Sequence, residues 1–133
     1  MGNITSFTDL IVWQRGHKFV LEIYNITDKF PKTESFGLTS QLRRAAVSVT
    51  SNICEGFERK SGKEFEQFLC ISRGSLAETQ NQLLIARDLG YVNTIMFNKI
   101  AMQTVEIHKL LNAFIKSVNT KNKTKDSRLA TTN

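Results

Sequence analysis

A chain of 133 residues, 41% apolar and 23% charged, has room for one ordinary domain that buries roughly two-thirds of its unfolded surface. No apolar run approaches the ~18 residues of a membrane span, and the start, Met1-Gly2-Asn3-Ile4-Thr5-Ser6, lacks the basic flank and apolar stretch of a secretory signal. Cys54 and Cys70 belong to no CxxC pair and suit a reducing cytoplasm, while 18 basic against 12 acidic residues leave +6, a balance that fits a polyanionic partner and plain solubility equally.

Apolar residues recur with helical period along the chain, and no stretch alternates as a strand does. Trp13, His17, Val20, Tyr24 and Thr27 fall at helical spacings, flanked by Phe19, Ile23 and Phe30. They predict a first helix with His17 as a hydrogen-bonded core residue. Thr8 or Asp9 is its expected N-cap, and Pro31 bars its continuation because the residue before a proline avoids helical torsions.

The second helix is expected to open after Thr33 or Ser35, to present Leu38, Leu42, Ala45, Val49 and Ile53 on one face, and to stop at Gly56. Ser61-Gly62-Lys63-Glu64 reads as a capping box opening the third helix. Its stripe runs through Phe65, Phe68, Ser72, Ser75, Thr79, Leu83 and Ala86 to a glycine stop at Leu89-Gly90. A fourth helix, from Asn93 to about Asn119, buries Met96, Ile100, Ile107, Leu111, Phe114 and Val118.

Short connections make consecutive helices antiparallel, so residues 1–119 are expected to form an all-α, up-down-up-down four-helix bundle. Residues 120–133 hold Lys121, Lys123, Lys125 and Arg128 against Asp126, half of the net charge, with Leu129 as the one large aliphatic residue. Such a segment cannot offset its ordering entropy by burial and is expected to be a disordered basic tail.

The spacing of chemically capable residues argues against catalysis. His17 and His108 do not follow a glutamate by three residues, as the Glu-x-x-His pairs of a bundle di-iron site require. Two isolated cysteines and two distant histidines make no zinc set, and neither a nucleophile elbow nor a phosphate-binding glycine loop occurs. Ala45-Ala46-Val47-Ser48-Val49-Thr50 resembles a DNA-recognition segment in composition only, since no turn interrupts Leu42 to Glu55. Met1-Gly2 with Ser6 fits the myristoylation pattern, and Asn3-Ile4-Thr5, Asn25-Ile26-Thr27 and Asn122-Lys123-Thr124 fit the glycosylation pattern. The first is short enough to arise by chance, and the second needs a secretory route. The expectation is a cytoplasmic protein without catalytic residues, metal or cofactor.

Ala45, Ala46 and Ser48 on the second helix and Ser72, Gly74 and Ser75 on the third are small residues at levels that antiparallel packing brings together. Ala45, Ser48, Gly74 and Ser75 therefore predict a tight helix contact, within one subunit or between two; a mid-helix glycine costs about 1 kcal/mol against alanine.

Trp13, Phe30-Pro31, Glu34, Phe36-Gly37-Leu38, Gln41 to Val49, Asn52-Ile53-Cys54-Glu55-Gly56 and Gly74-Ser75-Leu76-Ala77-Glu78 form an ordered series. It resembles the bacterial 23S rRNA intervening-sequence proteins, relatives of the accessory variability determinants of diversity-generating retroelements. Cys54 departs from the alanine more usual there. The resemblance implies a four-helix protomer in a ring-shaped homo-oligomer, a pentamer, and association with structured RNA or DNA or with a reverse transcriptase; no membrane role is implied.

Beside it, the residues offer their own candidates. Arg43 and Arg44 are adjacent on the second helix, and Arg59, Lys60 and Lys63 are denser in the loop after it; with Lys121, Lys123 and Lys125 they are the nucleic-acid-binding candidates. Glu55, Glu58 and Glu78 are potential partners for the two helix arginines. Leu10, Ile11, Phe19 and Leu21 give the first helix more apolar surface than one core stripe needs and are the oligomer-interface candidates. The functional expectation is a non-enzymatic, ring-forming scaffold that binds RNA or nucleoprotein; the alternative is a protein-binding adaptor with no nucleic-acid role.

Overall fold

The computed structural model describes residues 3–131, and side chains for residues 3–121. Four helices carry the chain: α1 (Ile11–Thr27), α2 (Leu38–Phe57), α3 (Gly62–Asp88) and α4 (Thr94–Thr131), with short 3₁₀ turns at Phe7–Asp9 and Lys32–Glu34 and no strand among the described residues. α1 packs on α2 and α4, and α3 packs on α2 and α4, so each helix lies beside two others.

Interhelix bonds fix the directions. Ser48 pairs with Ser75 and Ser72 with Val49 across α2 and α3; Gln80 meets Thr104 and Arg73 meets Asn112 across α3 and α4. Across α1 and α4, Arg15 meets Glu106 and Lys99 meets Glu22. In each pair of helices one number rises as the other falls, so neighbours are antiparallel and the expected four-helix bundle stands.

The core is Phe19, Ile23, Leu42, Val49, Ile53, Leu69, Leu76, Leu83, Ile100, Ile107 and Leu111, all but sealed from solvent. The stripes expected on α2, α3 and α4 lie on this core. On α1, Phe19, Val20, Ile23 and Thr27, with Phe30 just beyond it, are buried as expected, but Trp13, His17 and Tyr24 are not. The buried face of α1 is Val12, Gly16, Phe19, Val20, Ile23, Ile26 and Thr27, so Trp13 is half-buried, Tyr24 is exposed, and His17 is an exposed residue rather than a core one. The His17 ring instead stacks on Trp13, with centroids 4.8 Å apart and planes 15° apart.

The helix ends differ from expectation in four places. α2 opens at Leu38 from Gly37, with no side-chain cap, and neither Thr33 nor Ser35 caps it. α1 begins after Leu10 with no side-chain cap; Ser6 and Asp9 form their capping box one turn earlier, around the 3₁₀ turn. Gly56 does not stop α2 but lies buried within it, where a Cβ would come within 2.8 Å of Phe68 Cβ. α4 continues past Asn119, because once a helix is nucleated each further residue adds a bond at the cost of ordering only itself. Ser61 does cap α3, accepting from the Glu64 amide at 3.3 Å, but this is one half of the expected box, since the Glu64 carboxylate does not accept from the Ser61 amide. Gly90, at φ +79°, closes α3 in a Schellman arrangement, with Tyr91 N–H donating to Ala86 O and Gly90 N–H to Arg87 O. Here the left-handed torsion favours glycine.

Candidate nucleic-acid interface

The antiparallel register determines which cations can act together. The turn between α2 and α3 lies at the same end of the bundle as the start of α1 and the late turns of α4, because Asn119 donates to Glu66 at 2.6 Å near the opening of α3. Arg59, Lys60 and Lys63 from that turn therefore share one end with Lys121 and with Lys116, a residue that the sequence pattern did not single out. The signal for Lys116 was the exposed side of α4, legible only once the stripe of Ile107, Leu111 and Val118 is placed inward. Lys123 and Lys125 lie outside the residues whose side chains are described.

Within this end the cations differ in freedom. Arg59 is anchored: its Nη2 donates to Glu55 Oε1 at 2.7 Å, and its guanidinium lies 4.9 Å from the Phe68 ring centre. Both interactions are solvent-exposed, so they orient the side chain more than they stabilise the fold. Lys60, Lys63, Lys116 and Lys121 are exposed and, among the described residues, have no hydrogen-bond or ion-pair partner. Glu58 and Glu64 stand in the same turn and reduce the local excess of positive charge.

Arg43 and Arg44 are not part of this end. Arg43 Nε donates to Thr27 Oγ1 at 2.8 Å, and its guanidinium lies 4.6 Å from the Tyr24 ring centre, so it ties α2 to the end of α1. Thr27 Oγ1 in turn donates to Ile23 O at 2.6 Å. Arg44 points away from α1 into a groove between α2 and α3 of about 520 Å³, which Phe36, Ala45, Ser48, Glu78 and Gln82 also line.

The small-residue cluster divides in the same way. Ala45 is buried and the Ser48 and Ser75 hydroxyls share a 2.7 Å bond, giving the close α2–α3 contact expected of them. Gly74 does not join it: it lies on the outside of α3, and a Cβ there would meet nothing within 4 Å. Of the apolar interface candidates, Leu10 and Phe19 are buried inside the protomer and cannot form an intersubunit surface, whereas Ile11 and Leu21 are more than half exposed.

Two further groups are biased toward their protonated forms. Burial, and then the carboxylates of Glu58 and Glu55, push the Cys54 thiol up and disfavour the thiolate. The hydrogen bond from Tyr91 to Glu34 Oε2, at 2.9 Å, keeps the phenol protonated and pushes its pKa up. Among the described residues no three His, Cys, Asp or Glu side chains gather as a metal set, and no helix is long and apolar enough to cross a membrane.

Residues 8–113 match the family described as 23S rRNA-intervening sequence protein. The chain belongs to this family. A crystal structure from Bacteroides thetaiotaomicron, described as a protein with unknown function from the S23 ribosomal protein family, is similar at 25% identity, with a TM-score of 0.74 over 80% of this chain and 96% of that one. No curated protein matches. The 23S rRNA-intervening sequence match takes in the α2–α3 turn with Arg59, Lys60 and Lys63, and stops short of Lys116 and Lys121.

Proposed function

We propose that this chain is a non-enzymatic, self-associating scaffold of the cytoplasm that holds structured RNA, or a nucleoprotein such as one containing a reverse transcriptase, at the basic end of its bundle. The observation that carries this reading is the convergence of unpaired lysines from two parts of the sequence, Lys60 and Lys63 with Lys116 and Lys121, on one end of a rigid body. One protomer presents a modest charge there. A closed ring, a pentamer on the family resemblance, would repeat it around one rim and raise the local potential without any new residue. Polyanions gain from such a rim by releasing counterions, with no need of base-specific contacts.

The test is retention of a structured RNA on filters across a salt series. Binding is expected to weaken linearly in log salt, and the double variant Lys60→Glu, Lys63→Glu is expected to lower the slope by about 2 per protomer in contact while leaving the melting temperature unchanged. Absence of salt-dependent retention by the unaltered chain would remove the nucleic-acid role and leave the adaptor reading, for which a pulldown insensitive to nuclease is the positive result.

A further inference from the structure

We propose that the Trp13–His17 ring stack on α1 is a platform for an unpaired base, so that the nucleic acid held at this end includes a single-stranded RNA segment. This rests on the nucleic-acid reading above and deepens it, because lysines and phosphates alone do not distinguish a paired helix from a strand with free bases.

The helix sets the stack. Trp13 and His17 are four residues apart, so their side chains meet on one side of α1, with ring centroids 4.8 Å apart and planes 15° from parallel. Phe7, in the 3₁₀ turn before α1, meets Trp13 edge to face at 5.3 Å. Two rings thereby hold the half-buried indole in place. His17 is exposed, and the imidazole face turned away from Trp13 is open to solvent.

Two features go beyond what a structural ring pair needs. Among the described residues, the Trp13 indole N–H and both His17 ring nitrogens have no hydrogen-bond partner. An RNA strand supplies what this site can take: a base for the open ring face, and 2′-hydroxyl and phosphate oxygens for the N–H groups. The second feature is position. Trp13 and His17 lie in the first two turns of α1, at the same end of the bundle as Lys60, Lys63, Lys116 and Lys121. The Phe7 turn also packs on α2, the helix that leads into Lys60. Aromatic rings beside exposed cations are the combination that holds single strands, the cations following the phosphates and the rings taking the bases. A duplex keeps its bases stacked on one another and offers the imidazole no free face.

The experiment titrates the full chain with an oligouridylate about twelve nucleotides long, and with an abasic strand of the same length and charge. Trp13 is the sole tryptophan, so its fluorescence reports on the stack. The oligouridylate is expected to change this emission and to bind about tenfold more tightly than the abasic strand, which binds by charge alone. His17→Ala should remove that preference and leave the salt slope unchanged, whereas His17→Phe, which keeps a flat ring, should retain the preference. Both replace an exposed side chain that makes no hydrogen bond, so both variants should stay folded. Equal affinity for the two strands, with salt dependence intact, overturns the platform and leaves the basic rim standing. A preference for bases that survives His17→Ala overturns its assignment to this stack. Failure of the unaltered chain to retain RNA at any salt overturns the rim reading, and the platform with it.

Discussion

A methyl group on Gly56 would come within 2.9 Å of Phe65 Cδ1 as well as 2.8 Å of Phe68 Cβ, and the second of these atoms cannot rotate away because it is fixed to the α3 backbone. Alanine there should gain about 1 kcal/mol of helix propensity and lose more, about 1–3 kcal/mol, to overpacking. Gly56→Ala should therefore lower the melting temperature by several degrees in calorimetry. It should also disturb the ring contacts beyond, where Phe65 meets Phe57 and Phe114 edge to face at 6.2 and 5.2 Å. Glycine also bears on why the expected α1 stripe was centred too far toward Trp13, His17 and Tyr24, which are not buried. Trp13, His17, Val20 and Tyr24 keep helical spacing, but so do Val12, Gly16, Phe19, Ile23 and Ile26, and Gly16 contributes no apolar weight to a sequence stripe. Its burial comes from close approach: a Cβ would lie 2.9 Å from Thr50 Cγ2 of α2.

At the level of elements, the stripes on α2 and α4 were legible from large aliphatic residues, and that on α3 from its helical spacing, since Ser72, Ser75 and Thr79 lie on its buried face among leucines. The ends were less so, because capping depends on which residue adopts the extended torsions and not on residue type alone. Gly90 was readable, and it makes a quantitative test. Open space surrounds it, so alanine there costs only the left-handed torsion, about 1–2 kcal/mol, and asparagine, which tolerates that torsion, should cost less. Thermal melts of Gly90→Ala and Gly90→Asn should rank in that order.

The turn before α1 has its own signature. Asp9 Oδ2 accepts from the Thr5 and Ser6 amides at 3.0 Å each, which holds its carboxyl below the ordinary 3.8. A carboxyl depressed in the folded state contributes above its unfolded pKa, and that contribution fades as pH falls through the lower, folded value. The Thr5 and Ser6 amide resonances should shift on acidification with a midpoint below 3.8, and Asp9→Asn should abolish the titration.

For the whole molecule, the basic loop was visible in the sequence, but its neighbours were not, since Lys63 and Lys116 are far apart along the chain and only the helix register brings them to one end. The same register separates Arg43 from Arg44, adjacent residues with unrelated environments: one bridges to α1 and the other faces the α2–α3 groove. Gly74 was noticed for its cost to the helix, and the direction it faces became clear only with α3 placed against its neighbours. An even number of antiparallel rods also brings the polypeptide back to the side it started from. The start of α1 and the turn of α4 around Asn119 both lie at the lysine-bearing rim, so a fluorophore attached to either would compete with whatever that rim holds. One spliced into the opposite hairpin, beside Gly90 and Asn93, would leave that rim clear and is the placement to choose for labelled titrations.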